Sequence, residues 1–264
     1  MKMQKTQVLI NRQEFYHNLA RIALPISLQS LMLAAVAAGD AFMLGKVAQD
    51  EMTAVSLATQ IQFVQNMFLG AVTAAGAILG AQYWGKGDKH AMEDIFHIML
   101  RYCGIVSVMF FLACELIPGL LMHIFTHDRG LIAIGSSYLR IAGWSYLLTG
   151  ISQCYLAMMK VSEHVKPGAV ISSCAVLLNI GLNAILIFGL LGAPRMQARG
   201  AALATTISRI AELVLCIAVS AKASYIRPAL GRLLKLSKQL KADFTKQCLP
   251  LLGGSLCWGI GFTS

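Results

Sequence analysis

The stretch Gly168-Ala-Val-Ile-Ser-Ser-Cys-Ala-Val-Leu-Leu-Asn179-Ile-Gly-Leu-Asn183-Ala-Ile-Leu-Ile-Phe-Gly-Leu190 carries no charged residue from end to end. A helix needs about 20 mostly apolar residues to cross the hydrocarbon core of a bilayer, and this stretch supplies them. Working outward, five further segments of the same character fall at roughly 22–44, 54–83, 95–125, 131–158 and 200–220, and a seventh begins near 248. Polar or turn residues separate them: Gln49-Asp50-Glu51, Gly85-Lys86-Gly87-Asp88, Thr126-His127-Asp128-Arg129-Gly130, Glu163-His164-Val165-Lys166-Pro167 and Ala193-Pro194-Arg195. The pattern predicts an all-α, polytopic transmembrane helix bundle with short loops.

Composition agrees. Of 264 residues 57% are hydrophobic and 13% charged, against about 25% charged in a soluble domain. The net charge of +10 could suit a nucleic-acid binder, but the basic residues lie between the apolar segments rather than on them. With the N-terminus inside, fifteen of the 22 Lys and Arg fall on the inner side, including Lys86, Lys89, Lys160, Lys166 and those of the stretch after the sixth span. Four (Lys46, Arg129, Arg195, Arg199) fall outside and three (Arg101, Arg140, Arg209) within spans. Cytoplasmic loops retain positive charge, so a multi-pass cell-membrane protein with a cytoplasmic N-terminus is expected and nucleic acid is not a partner. The seven cysteines have no CxxC or other metal spacing and read as small packing residues. The first apolar segment is too long for a signal peptide, running from Pro25 through Phe42-Met43-Leu44 without a polar mature start.

Three regions follow: a six-span lobe over 1–220, a basic cytoplasmic linker over 221–247, and 248–264. The linker alternates leucines with charges, a pattern that fits either a helix lying on the inner headgroups or a solvated connector. Beyond it, Leu249-Pro250-Leu-Leu-Gly-Gly-Ser255-Leu256 aligns with Leu24-Pro25-Ile-Ser-Leu-Gln-Ser30-Leu31. Both open a hydrophobic span after a basic stretch, which predicts a second repeat of the kind that builds many transporters. On this reading the chain is truncated a few turns into that repeat.

Ionisable residues in spans are expensive and mark function by default. Asp40 lies late in the first span with no basic residue at helical spacing except Lys46. An unpaired buried carboxylate takes up a proton or binds a cation; the alternative is an interfacial cap. Asn179 and Asn183 are four apart on one face of the fifth span. At about 1.5 Å per residue, Asp40, Asn183 and Thr205 lie roughly 10, 6 and 7 Å outward of their span centres. A carboxylate, amides and a hydroxyl at similar depth suit sodium, or a proton held on Asp40; plain interhelical hydrogen bonding by Asn and Thr is the rival reading.

Gln60, Gln62, Gln65 and Asn66 give the second span a polar face that either lines a cavity or serves helix contact. Arg209 and Glu212, three apart, read as a structural ion pair, and His123 and His127 as a surface pair without further metal ligands. Gly70, Gly76 and Gly80 with neighbouring alanines make a small-residue face for close helix packing. Gly80 to Lys86 fits Gly-x4-Gly-Lys, but Gly87 stands where a P-loop needs Ser or Thr and the run ends a membrane span, so nucleotide binding is rejected. No Ser/His/Asp or Cys/His set has catalytic spacing, and no enzyme is expected.

Gly39-Asp40-Ala-Phe-Met-Leu-Gly45 with Ala54-Val-Ser-Leu-Ala58 resembles the first-span signature of the multidrug and toxic compound extrusion family. Asn179-x3-Asn183-Ala-Ile-Leu-Ile-Phe-Gly189, continuing through Gly192-Ala-Pro194 to Gly200-Ala-Ala-Leu-Ala-Thr205, resembles its fifth- and sixth-span stretch, and Pro25 matches its first-helix proline. The resemblance implies twelve spans in two facing lobes, exporting amphipathic, often cationic, drugs in exchange for Na+ or H+, with no other cofactor. It places Asp40, Asn179, Asn183 and Thr205 at the cation site of the first lobe and implies a missing C-terminal lobe. Gln60, Gln65 and Asn66 are the candidates for the substrate cavity. Some members carry an acid at the position of Asn183, which leaves Na+ or H+ coupling open, and Met196-Gln197-Ala198 replaces a more usual Met-Gly-x. The alternatives are a flippase for lipid-linked sugar or polysaccharide precursors, favoured by a cavity lined with many basic residues, and a non-transporting membrane scaffold.

Overall fold

The computed structural model describes residues 42–46, 48–221 and 238–263, with a few isolated positions before them. The first expected span, apart from its end, and the linker over 222–237 lie outside the described residues. Among the described residues the chain is all-helical: α1 (Gln49–Gly85), α2 (Lys89–Leu116), the short α3 (Pro118–His123), α4 (Arg129–Val161), α5 (Val165–Phe188), α6 (Gln197–Ser220) and α7 (Lys238–Thr263). Four of these, α1, α2, α5 and α6, are long and apolar enough to cross a membrane.

Each boundary has a local cause. Asp50 and Glu51, expected in a loop, instead occupy the first turn of α1, where the helix dipole favours negative charge. Asp88 caps α2 through Ala91 N–H at 3.0 Å, and Asp128 caps α4 through Gly130 and Leu131 N–H at 2.7 and 3.2 Å. The third span, expected to run to 125, breaks at Ile117 (φ −132°, ψ 41°) because Pro118 cannot donate the next helical bond. Gly189 ends α5 in the left-handed region at φ 74°. The seventh helix starts at Lys238, ten residues ahead of expectation. Its first turns carry Leu240 and Phe244 into the core, and Phe244 stacks on Tyr102 with ring centroids 5.7 Å apart. Pro250 therefore lies inside a helix rather than at its start.

α4 is the axis of the bundle, packed against α1, α2, α3, α5 and α6. This explains why it lacks a membrane-span composition. Ser145, Thr149 and Ser152 face protein rather than lipid, and Ser145 and Thr149 return their hydroxyls to the carbonyls of Ala142 and Ser145, each at 2.7 Å. One apolar core gathers Leu69, Met92, Phe96, Met99, Tyr155 and Met158 at one end of the bundle. A second gathers Leu44, Ile61, Met122, Leu139, Tyr146 and Ile187 at the other. Gly76 lies against Met99 and Gly80 against Val161, so the small-residue face of α1 does let neighbours close in.

Two features set the helices that bear the candidate site. Glu51 Oε2 of α1 accepts the Ala198 N–H of α6 at 2.9 Å, an N-terminal cap supplied by another helix. Gly200 brings α6 onto the backbone of α5: a Cβ there would stand 2.8 Å from the Leu186 carbonyl oxygen.

Candidate functional site

α5 runs antiparallel beside α6, so Asn183, Asn179 and Thr205 meet although they are far apart in sequence. Asn183 Nδ2 donates to Asn179 Oδ1 at 3.1 Å, Asn179 Nδ2 donates to Thr205 Oγ1 at 3.3 Å, and Thr205 Oγ1 donates to the Ala201 carbonyl at 2.9 Å. Each amide commits one of its two N–H donors to this relay and Thr205 commits its hydroxyl proton, while Asn179 Oδ1 and Thr205 Oγ1 each keep a further lone pair that a ligand can use. Acceptor oxygens are what a hard cation or a bound proton requires. Asn183 is fully buried, Asn179 is 7% exposed, and Thr205 is partly open.

The open side is a cavity of about 350 Å³ between α1, α4, α5 and α6. Asn179 and Thr205 line it with Gln62, Asn66, Tyr138 and Arg209. Leu44, at the end of the first expected span, also lines it; Asp40, four residues earlier, lies outside the described residues.

The other sequence candidates part company. Asn66 faces this cavity and also a second cleft, where α1 meets α7 around Phe63, Pro250 and Trp258. Gln65 points away into the bundle, fully buried, and donates to the Tyr146 carbonyl at 2.9 Å and to Ser107 Oγ at 3.4 Å. Gln60 is exposed and lines neither cavity. Gln62 takes the place on the wall.

Arg209 and Glu212 do form the expected ion pair, Nη1 to Oε2 at 2.8 Å, and Ser152 Oγ of α4 adds a donor to the same oxygen at 3.1 Å. Much of the wall was not found from sequence, including the polar Ser56, Thr59, Tyr138, Ser172, Ser208 and Arg209. Arg209 had a usable signal, since it lies four residues after Thr205 on the same helical face. Tyr138 had none beyond being an aromatic hydroxyl within a span.

This all-helical lobe with a polar, cation-compatible wall has the build of a membrane transporter half. The MatE family model matches residues 25–185. The chain belongs to that family, whose members are multi-pass membrane transporters and not enzymes. Its relatives include an uncharacterized transporter of Bacillus subtilis, YisQ, 21% identical over 241 residues and covering 89% of this chain and 52% of that protein. The multidrug resistance protein NorM of Vibrio cholerae is 28% identical over 193 residues, covering 72% and 41%. Among solved structures, the outward-facing form of a multidrug resistance MATE family transporter superposes with a TM-score of 0.82 at 15% identity, covering 93% of this chain and 54% of that one. A MOP superfamily transporter from Pyrococcus furiosus gives 0.81 at 16% identity, covering 93% and 54%. The chain thus spans about half the length of the relatives it matches and shares half of their fold.

Proposed function

We propose that this chain supplies one lobe of a secondary active exporter that exchanges amphipathic, often cationic, compounds for Na+ or H+. Residues 1–220 form that lobe, the stretch from 221 to the start of α7 at Lys238 the cytoplasmic connector and α7 the beginning of a facing lobe, with the N-terminus in the cytoplasm and the bundle in the cell membrane. Asp40, Asn179, Asn183 and Thr205 hold the coupling cation, and the cavity beside them receives substrate. The observation that carries this reading is the Asn183–Asn179–Thr205 relay, which sets buried acceptor oxygens beside a cavity of about 350 Å³. A flippase calls for a cavity with many basic residues; among the described lining residues Arg209 is the only charged one, and it is paired. A scaffold has no need of a polar cavity.

Transport needs the facing lobe, so the test is binding. The purified chain in lipid nanodiscs is melted across a Na+ series at fixed pH, and across a pH series without Na+. A bound cation stabilises the folded state by mass action, so one series raises the wild-type melting temperature, and Asp40→Asn and Asn179→Leu remove that rise. An undiminished rise in Asp40→Asn would overturn the assignment.

A further inference from the structure

The ion pair explains why Arg209 is tolerated in a span, but not why its head borders a cavity. A guanidinium carries five N–H donors. Among the described residues its only hydrogen-bond partner is Glu212, through Nη1. Glu212 is 2% exposed and held from behind by Ser152, whereas the Arg209 side chain is 22% exposed and lines the cavity. The acid therefore anchors one edge of a planar fork whose remaining donors have no partner among the described residues, at mid-span where an unsatisfied donor is costly. A carboxylate fills such a fork in bidentate fashion.

Charge balance narrows the ligand. Arg209 and Glu212 together are neutral, so a bare anion would bring an uncompensated charge into the bundle. A zwitterion brings none, provided its cationic end finds acceptors. Those stand one turn outward, about 6 Å along α6, where Thr205 and Asn179 present oxygens to the same cavity.

We propose that Arg209, positioned by Glu212, is a specificity-determining residue that receives the carboxylate of a zwitterionic amphiphile whose cationic end lies toward Asn179 and Thr205. This rests on the cavity being the ligand site of the lobe proposed above.

The test uses two dyes that differ in one group: rhodamine 110, with a free carboxylate, and its methyl ester, rhodamine 123. Binding to the purified chain in nanodiscs is followed by fluorescence polarisation, with empty nanodiscs subtracted. The variant is the double change Arg209→Gln with Glu212→Gln, which removes both charges and leaves no acid buried alone. A charge-assisted hydrogen bond corresponds to about tenfold or more in affinity. The double variant therefore weakens rhodamine 110 by about that factor and leaves rhodamine 123 within about twofold. Equal weakening of both dyes assigns the pair a purely structural role and overturns the inference, as does no change in either; the cavity reading survives both results. If the wild-type chain binds neither dye, the cavity reading itself fails and the inference falls with it.

Discussion

Gly200→Ala tests how packing sets the candidate site. The added Cβ stands 2.8 Å from the Leu186 carbonyl oxygen, 2.9 Å from its carbonyl carbon and 3.1 Å from its Cβ. Ordinary contact begins near 3.4 Å, so α6 must retreat from α5 by about 0.6 Å. The crowded oxygen is backbone and already accepts the Met196 N–H at 2.9 Å, so it has no rotamer by which to escape. Overpacking of this kind costs about 1–3 kcal/mol. The same retreat acts on the Asn179 to Thr205 bond, which at 3.3 Å is already long for an N–H donor and opens with little further separation. Unfolding in mixed micelles with graded SDS reads the stability, and the cation dependence of melting reads the site; Gly200→Ala lowers both. Gly181→Ala on α5 is the control, because nothing lies within 4 Å of its Cβ. There the gain in helix propensity, about 0.5–1 kcal/mol, leaves stability equal or higher. Should Gly200→Ala unfold within about 0.5 kcal/mol of wild type, the helices are not held apart by this contact and the reasoning fails.

Two more outcomes follow from side chains. Gln197 holds φ 53° at the start of α6, a left-handed conformation that an L residue adopts at a cost of roughly 1 kcal/mol. Gln197→Gly should therefore raise unfolding free energy by about that amount in the same micelle assay. Glu212→Leu strands the Arg209 charge and costs about 3 kcal/mol, whereas the double change Arg209→Met with Glu212→Leu recovers most of it, as a double-mutant cycle on SDS unfolding will show.

The sequence announced the membrane and the broad order of helices through apolar runs and their punctuation. It was poorer where a helix is buried among others. In α1, Gln62 and Asn66 are four apart and reach the cavity, while Gln65, one residue from Asn66, turns about 100° to a different neighbour. Polarity shows that a face exists; only packing decides what it meets. The relay of Asn183, Asn179 and Thr205 could be anticipated because similar depth is a one-dimensional quantity read along each span. Tyr138 and Arg209, among the cavity-lining residues that sequence overlooked, belong to the wall only once α4 and α6 are placed. The unusual Gln197 was visible as a departure from a glycine-containing motif, but its meaning, a positive φ, required the backbone.

The central position of α4 also bears on how its hydroxyl side chains are accommodated. Ser145, Thr149 and Ser152 are buried, and their hydroxyls bond carbonyls of their own helix and, for Ser152, the Glu212 carboxylate of α6. The segment that organises the lobe thus meets its polar needs from within the bundle.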